Sequence, residues 1–272
     1  MNLTSPSQVK SWCIENGFHP NRVLGQNFLV DRNALEAIVD SGLEGVGGAP
    51  PSVLEVGPGL GVLTEELLRR GCRVTAIEKD SVLAERLVDA LGRPAGLKVV
   101  EGAALAVIAR GGVDTGGFDA MVSNLPYQAG TRILLNLVEL RAPATMTALV
   151  QSEVAERLAA TEGSKTRGLA GVLAQLDYDV RIVRRVPATC FWPRPQVGSS
   201  VVRLDRHERN AALTEDERRM FRSLVKRAFS QRRKQLGRVF KDMVQSTARA
   251  EELSNEDWVA LTKGLMETKG TM

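Results

Sequence analysis

The sequence predicts an α/β protein with a mostly parallel sheet and a small all-α domain at its C-terminal end. Three observations lead there. Strand-like and helix-like runs alternate from about residue 52 to 160, the pattern of a parallel sheet. The first of these strands passes through Gly57-Pro58-Gly59-Leu60-Gly61 into a helical run at Val62–Leu68. In the final part of the chain the β-prone runs give way to an amphipathic, strongly basic helical pattern. A length of 272 residues suits one large domain with an appendage, and the expected division is 1–205 and 206–272.

In chain order, residues 1–24 read as a short polar helix and a basic turn around Asn21-Arg22. Gly25–Asp31 then forms a loop leading into a helix from Arg32 to Val39. After a Gly/Pro-rich linker at Gly45–Pro51, strands are expected near 52–56, 73–78, 97–101, 118–123 and 145–150. Helices fall near 62–70, 81–91, 130–140, 152–160 and 169–177. Two β-rich runs, Val180–Val186 and Ser200–Leu204, flank a loop marked by Pro187, Pro193 and Pro195.

The glycine turn is the first chemical centre. A buried strand entering a helix through glycines exposes backbone N–H groups beside a surface without Cβ bulk, where a nucleoside-containing cofactor can lie on Gly57 and Gly59. The dinucleotide fingerprint needs glycine at position 62, which is Val62 here. The spacing E-x-G-x-G-x-G from Glu55 to Gly61 instead resembles the first motif of Rossmann-like, class I S-adenosylmethionine-dependent methyltransferases. That resemblance implies a seven-stranded sheet. Glu78, at the end of the next strand and 17 residues after Gly61, is suited to accept the hydroxyl hydrogens of a ribose. Gln26 and Asn27 offer amides for the methionine end of a cofactor, although their spacing alone favours helix capping.

Asn124-Leu125-Pro126-Tyr127, closing the fourth strand, is the second centre. It resembles the (N/D)-x-P-(Y/F) motif of methyltransferases acting on exocyclic or amide nitrogens. An aromatic amine is a poor nucleophile because its lone pair is delocalised. Two acceptors, the Asn124 side-chain oxygen and the Leu125 carbonyl, can hold both hydrogens and favour the tetrahedral nitrogen. Pro126 adds no competing donor, and Tyr127 offers a flat face to an unstacked base. Phe191, in the proline-marked loop, is expected to close on that base from the other side, with Trp192 buried against the protein body.

From Arg218 to Lys241 there are ten basic residues and no acid, on a helix whose apolar stripe includes Phe221, Leu224, Val225 and Ala228. An exposed helix normally mixes signs, so this stretch reads as a phosphate-binding surface, with Arg222, Lys226, Arg227, Arg232, Arg233 and Lys234 as RNA-binding candidates. An acidic stretch from Glu251 to Asp257 is expected to fold back as a closing helix. Net charge is only +4, so the distribution is more informative than the total. Three cysteines without a C-x-x-C and two histidines supply neither a disulfide frame nor a zinc site. No apolar run reaches about 18 residues, and the expected setting is cytoplasmic, without membrane or metal.

Over nearly its whole length the chain resembles the ribosomal small-subunit RNA adenine dimethyltransferases. The matching segments are Gly25–Asp31, Glu55–Gly61, Glu78, Asn124–Tyr127, Gln151–Leu158, Val186–Leu204 and Phe229–Lys241. The resemblance implies that Asn27, Leu29, Gly57, Glu78 and Asn124 contact S-adenosylmethionine. It also implies that two neighbouring adenines near the 3′ end of small-subunit rRNA are dimethylated at N6, within a 30S assembly intermediate, by a monomer. Direct methyl transfer is expected, with no metal or covalent intermediate. One departure stands out: where the family usually has an aspartate that accepts from the cofactor's adenine amine, this chain has Ala103. Losing that bond is expected to cost roughly 1.5–3 kcal/mol of cofactor affinity. The competing readings are an assembly factor weakened by Ala103, a large-subunit rRNA methyltransferase, and a nicotinamide-dependent oxidoreductase, the last disfavoured by Val62.

Overall fold

The computed structural model describes residues 1–21, 25–241 and 243–270, with side chains to 267. The Arg22 half of the expected Asn21-Arg22 turn lies outside them. Two compact units result: Met1–Ala155 with Arg181–Asp205, and Glu156–Val180 with Arg206–Met272. The chain crosses between them at 155/156, 180/181 and 205/206, so residues 156–180 group with the C-terminal helices.

The first unit opens with α1 (Pro6–Glu15), β1 (Phe28–Leu29) and α2 (Arg32–Leu43). The cap of α2 is Asp31, whose side chain accepts from the Ala34 N–H at 2.8 Å, so Gln26 and Asn27 do not cap it. There follow β2 (Ser52–Val56), α3 (Val62–Arg69), β3 (Arg73–Glu78), α4 (Ser81–Ala90) and β4 (Leu97–Glu101). Then come α5 (Ala104–Ala109), β5 (Ala120–Asn124), α6 (Gly130–Leu140), β6 (Thr145–Gln151) and α7 (Ser152–Leu158). After α8 (Leu169–Ala174), the strands β7 (Tyr178–Val186), β8 (Phe191–Trp192) and β9 (Ser199–Arg206) complete the β-structure.

Seven strands form one sheet in the order β4-β3-β2-β5-β6-β9-β7. The five strands from β4 to β6 are parallel, and β9 runs antiparallel to β6. Val53, Leu54, Val74, Ala76, Met121 and Val122 are buried along the middle strands, as strands covered on both faces require. The order turns back at β2, so β2 and β5 diverge into their helices on opposite sides and leave a crevice beyond their carboxyl ends. β1 and β8 make a separate antiparallel ribbon with Phe28 opposite Trp192 and Leu29 opposite Phe191. Directly opposed residues share a face, so Leu29 and Phe191 join the sheet core while Phe28 and Trp192 pack with Val9, Cys13 and Phe18.

The second unit adds α9 (Glu215–Ser230), α10 (Leu236–Val239) and α11 (Asn255–Gly270). Thr214 and Glu217 close a reciprocal capping box that starts α9, with three acids in its first turn. The apolar stripe Phe221, Leu224, Val225 and Ala228 packs with Val172, Leu176, Phe240 and a fully buried Trp258. Val172 and Leu176 explain why 156–180 belong here: their apolar face is covered by these helices. Arg167, 1% exposed, donates to the carbonyl of Ala160 and to Oδ1 of Asn255, tying that segment to α11. Arg218 and Asp177 form an ion pair at 2.7 Å, both almost fully buried, and Arg218 also donates to the carbonyl of Asn210.

Removing one member of a buried pair leaves the other charge uncompensated. Asp177→Asn is therefore expected to destabilise the protein by about 3 kcal/mol, while the double change Asp177→Leu/Arg218→Met loses less. Urea denaturation of both variants tests this, and equal losses would contradict it.

Candidate active site

The turn after β2 takes its shape from three left-handed glycines, Gly57 (φ 73°), Gly59 (φ 58°) and Gly61 (φ 90°). A Cβ on Gly61 would stand 2.5 Å from the Leu87 side chain, so bare backbone there lets α4 pack against the start of α3. A Cβ on Gly57 would stand 3.6 Å from Pro126 and 3.8 Å from the Asn124 carbonyl. The glycine turn thus faces the end of β5 directly. Between them lies a cavity of about 230 Å³.

Gln26, Asn27, Leu29, Gly57, Gly59, Glu78, Ala103, Asn124, Leu125, Pro126 and Tyr127 all line this cavity. Phe191 does not. It is 4% exposed, opposite Leu29 in the ribbon, and belongs to the sheet core, which corrects its expected place over a target base. The side chain of Trp192 is half-buried against the neighbouring cluster.

Each polar group in the cavity has a definable state. The two oxygens of Glu78 accept from the N–H groups of Gly59 (3.1 Å) and Asp80 (2.9 Å), which fixes the carboxylate at the strand end. Burial pushes its pKa up, and these backbone donors act against that shift. The Asn124 Nδ2 donates to the Asn27 carbonyl at 3.3 Å, leaving Oδ1 as the atom available to accept. Tyr127 shares a 2.6 Å hydroxyl contact with Ser199 of β9, which fixes the ring. Gln26 is occupied at both ends: Nε2 donates to Asp80 at 2.9 Å, and Oε1 accepts from the Asn21 N–H at 2.7 Å. It therefore holds the 25–29 loop to Asp80 at the start of α4, and its second Nε2 hydrogen and second Oε1 lone pair remain for a ligand.

Glu55 opens the E-x-G-x-G-x-G spacing, and nothing local in the sequence assigns it a role. It is 1% exposed on β2, accepts from the Thr64 hydroxyl at 2.7 Å, and its Oε1 has no partner among the described residues. Burial pushes its pKa up to about 8; the Thr64 bond opposes this and the Glu78 charge adds to it. The cavity thus contains a carboxyl whose protonated form is favoured by burial. Ser199 was also missed, because its partner lies 72 residues away in the chain.

Of the RNA-binding candidates, which lie in the second unit, Lys226, Arg227, Arg233 and Lys234 are exposed. Arg227 donates to the Val239 carbonyl and lies over the Phe240 ring at 5.4 Å. Arg232 donates to the Lys165 carbonyl and faces Glu251 at 3.5 Å, and Arg222 is half-buried. Arg218, counted in the basic stretch, is buried with Asp177. Among the described residues no cluster of three or more His, Cys, Asp or Glu is arranged to hold a metal. No described helix is long and apolar enough to cross a membrane.

A parallel sheet of this order, with a glycine turn, a strand-end acid and an N-x-P-Y turn on one cavity, defines a Rossmann-like methyltransferase. The family described as Ribosomal RNA adenine dimethylase matches residues 17–264, and the chain belongs to it. Among similar proteins, the Ribosomal RNA small subunit methyltransferase A of Geobacillus thermodenitrificans is 38% identical over 86% of this chain and 80% of its own. The protein of that name from Deinococcus radiodurans is 43% identical over 75% and 67% of the two chains. The one from Mycobacterium bovis is 37% identical over 97% and 88%. A solved dimethyladenosine transferase from Plasmodium falciparum has the same fold, with a TM-score of 0.73 at 23% identity over 89% of this chain and 97% of that one. The 23S rRNA methyltransferase ErmE aligns with a TM-score of 0.67 at 25% identity, over 88% of this chain and all of that one.

The chain is accordingly an S-adenosylmethionine-dependent rRNA adenine dimethyltransferase. Its cavity fits the cofactor on its own chemistry: a turn without a Cβ at Gly57, a fixed acceptor at Glu78, and a buried Glu55 oxygen, Oε1, without a partner among the described residues.

A carboxyl neutral in the fold costs stability once it must ionise. The Glu55 contribution is complete below its ordinary pKa of 4.5 and is lost as pH rises to about 8. Glu55→Gln carries no such proton linkage. Its advantage over the parent is expected to grow from about pH 5 to about pH 8 at up to ~1.4 kcal/mol per pH unit, then level off. Thermal melts across that range check it, and a constant difference would mean that Glu55 is ionised in the fold.

Proposed function

We propose that the chain N6-dimethylates two adjacent adenines in a 3′-terminal hairpin of small-subunit (16S) rRNA, acting as a cytoplasmic monomer on a 30S assembly intermediate. The observation carrying this reading is the meeting of the Gly57–Gly61 turn with Asn124–Tyr127 across one cavity. Small-subunit specificity is supported by the names of relatives 37–43% identical to the chain. The bound cofactor supplies an electrophilic methyl on a sulfonium, which needs no Lewis acid.

The remaining work belongs to side chains and backbone. Glu78 has its oxygens positioned by Gly59 and Asp80 and accepts from a ribose diol. Asn124 Oδ1 and the Leu125 carbonyl accept the two N6 hydrogens of the target adenine, so its lone pair leaves conjugation with the ring. Pro126 contributes no N–H to compete for those acceptors. The Tyr127 ring, held by Ser199, gives the extruded base a stacking face. Lys226, Arg233 and Lys234 supply exposed charge for rRNA phosphates. A second reading, an assembly factor with weakened catalysis, draws on the apolar Ala103 in the cavity wall.

Methylation of undermethylated small subunits, with the modified bases mapped, tests the proposal. The parent should place two methyl groups on each of two neighbouring adenines, and Asn124→Ala should slow transfer by about 10²–10³-fold. RNA binding without methylation by the parent would favour the assembly-factor reading, and modification only of large-subunit RNA would move the substrate. Neutralising Arg233 and Lys234 together (both to Gln) should weaken rRNA binding and reduce the slope of log K against log salt by roughly 2. An unchanged slope would remove these residues from the RNA surface.

A further inference from the structure

Along the carboxyl edge of the sheet the cavity passes four strand ends in the order β4, β3, β2, β5. These contribute Gly102–Leu105, Glu78, the Gly57–Gly61 turn and Asn124–Tyr127. On the function proposed above, on which this inference rests, the reacting methyl lies at the β2–β5 end and the ribose at Glu78. The purine is left with the β4 end.

The side chains of that wall are those of Ala103, Ala104 and Leu105, beside Gly102 and Ile133. Every side-chain atom among them is carbon. The Ala103 carbonyl is already taken by the N–H groups of Ala106 and Val107, each at 2.9 Å. Glu101 sits opposite Glu78 on β4 but is exposed and is not part of the cavity lining. The side-chain acceptors that do line the cavity lie elsewhere: Glu78 on β3, Glu55 on β2, Gln26 and Asn27 in the 25–29 loop, and Asn124, Tyr127 and Gln128 at or after the end of β5. Lys79, the polar side chain following Glu78, can only donate.

We infer that this chain recognises the purine of its cofactor by shape and apolar contact, and that the 6-amino group contributes little to binding. A site built around an acceptor for that amine rejects an analogue lacking it, because the acceptor is then left buried and unpaired. A wall whose side chains are all carbon has no side-chain acceptor to leave unpaired. The chain therefore accepts cofactor analogues altered at purine position 6, and residue 103 sets that tolerance.

The test is calorimetric titration of the full chain with S-adenosylhomocysteine, its 6-deamino analogue and its N6-methyl analogue. Both analogues should bind within about threefold of the parent compound, since no hydrogen bond to the amine is lost. Ala103→Asp should tighten S-adenosylhomocysteine by about tenfold or more and separate it from the 6-deamino analogue by a similar factor. Discrimination by more than about tenfold in the parent protein would overturn the inference, whether or not the variant folds. Should S-adenosylhomocysteine not bind, or should Glu78→Ala leave its affinity unchanged, the proposed site itself fails and the inference with it. A normal Glu78 effect combined with strong discrimination would sink the inference alone.

Discussion

The left-handed backbone turn at Gly57 is the constraint on which the site depends. β2 and β5 are neighbours in the sheet, and the buried Ser123 hydroxyl of β5 accepts from the Val56 N–H of β2 at 2.9 Å. This aligns the two strand ends. The turn that carries the main chain past Pro126 and the Asn124 carbonyl has a left-handed φ of 73° at Gly57, a conformation that side-chain-bearing residues rarely adopt. The sheet provides parallel strand ends, and the glycine allows two of them to share one cavity. The 25–29 loop completes the wall, held to Asp80 through Gln26 and to Asn124 through the Asn27 carbonyl.

The second unit uses charge differently. Its basic residues divide into those spent on the fold and those left at the surface. Arg218 and Arg167 are buried with specific acceptors, where losing a partner would be costly. Arg227 and Arg232 donate to backbone carbonyls while remaining near the surface. Lys226, Arg233 and Lys234 are exposed, as is Arg227 beside its carbonyl contact, and long-range attraction of an RNA backbone depends on such exposed charge. A count of basic residues therefore overstates the surface available to phosphate.

Much of this organisation is legible in the sequence because its signals are local. Strand periodicity, glycine spacing and Asn124–Tyr127 placed the sheet, the cavity and most of its lining. The apolar stripe of α9 was readable for the same reason, as was its basic face. What escaped depends on partners distant in the chain. The Tyr127–Ser199 contact, the β1–β8 ribbon that draws Phe191 into the core, and the grouping of 156–180 with the later helices leave no short-range pattern. The neutral state of Glu55 depends on complete burial, which an acid flanked by Leu54 and Val56 only suggests.

The tether between Tyr127 and Ser199 has an energetic consequence. An aromatic surface anchored to a sheet strand is in place before any nucleotide reaches it, so little conformational freedom is lost there on association. On the proposed role of Tyr127 as a stacking face, the work of unstacking a base then falls to the RNA. Helices that are hard to open would be poor targets, and single-stranded or strained junctions would be good ones. Selectivity of this kind responds to how the RNA is folded at that moment as well as to which nucleotides flank the site.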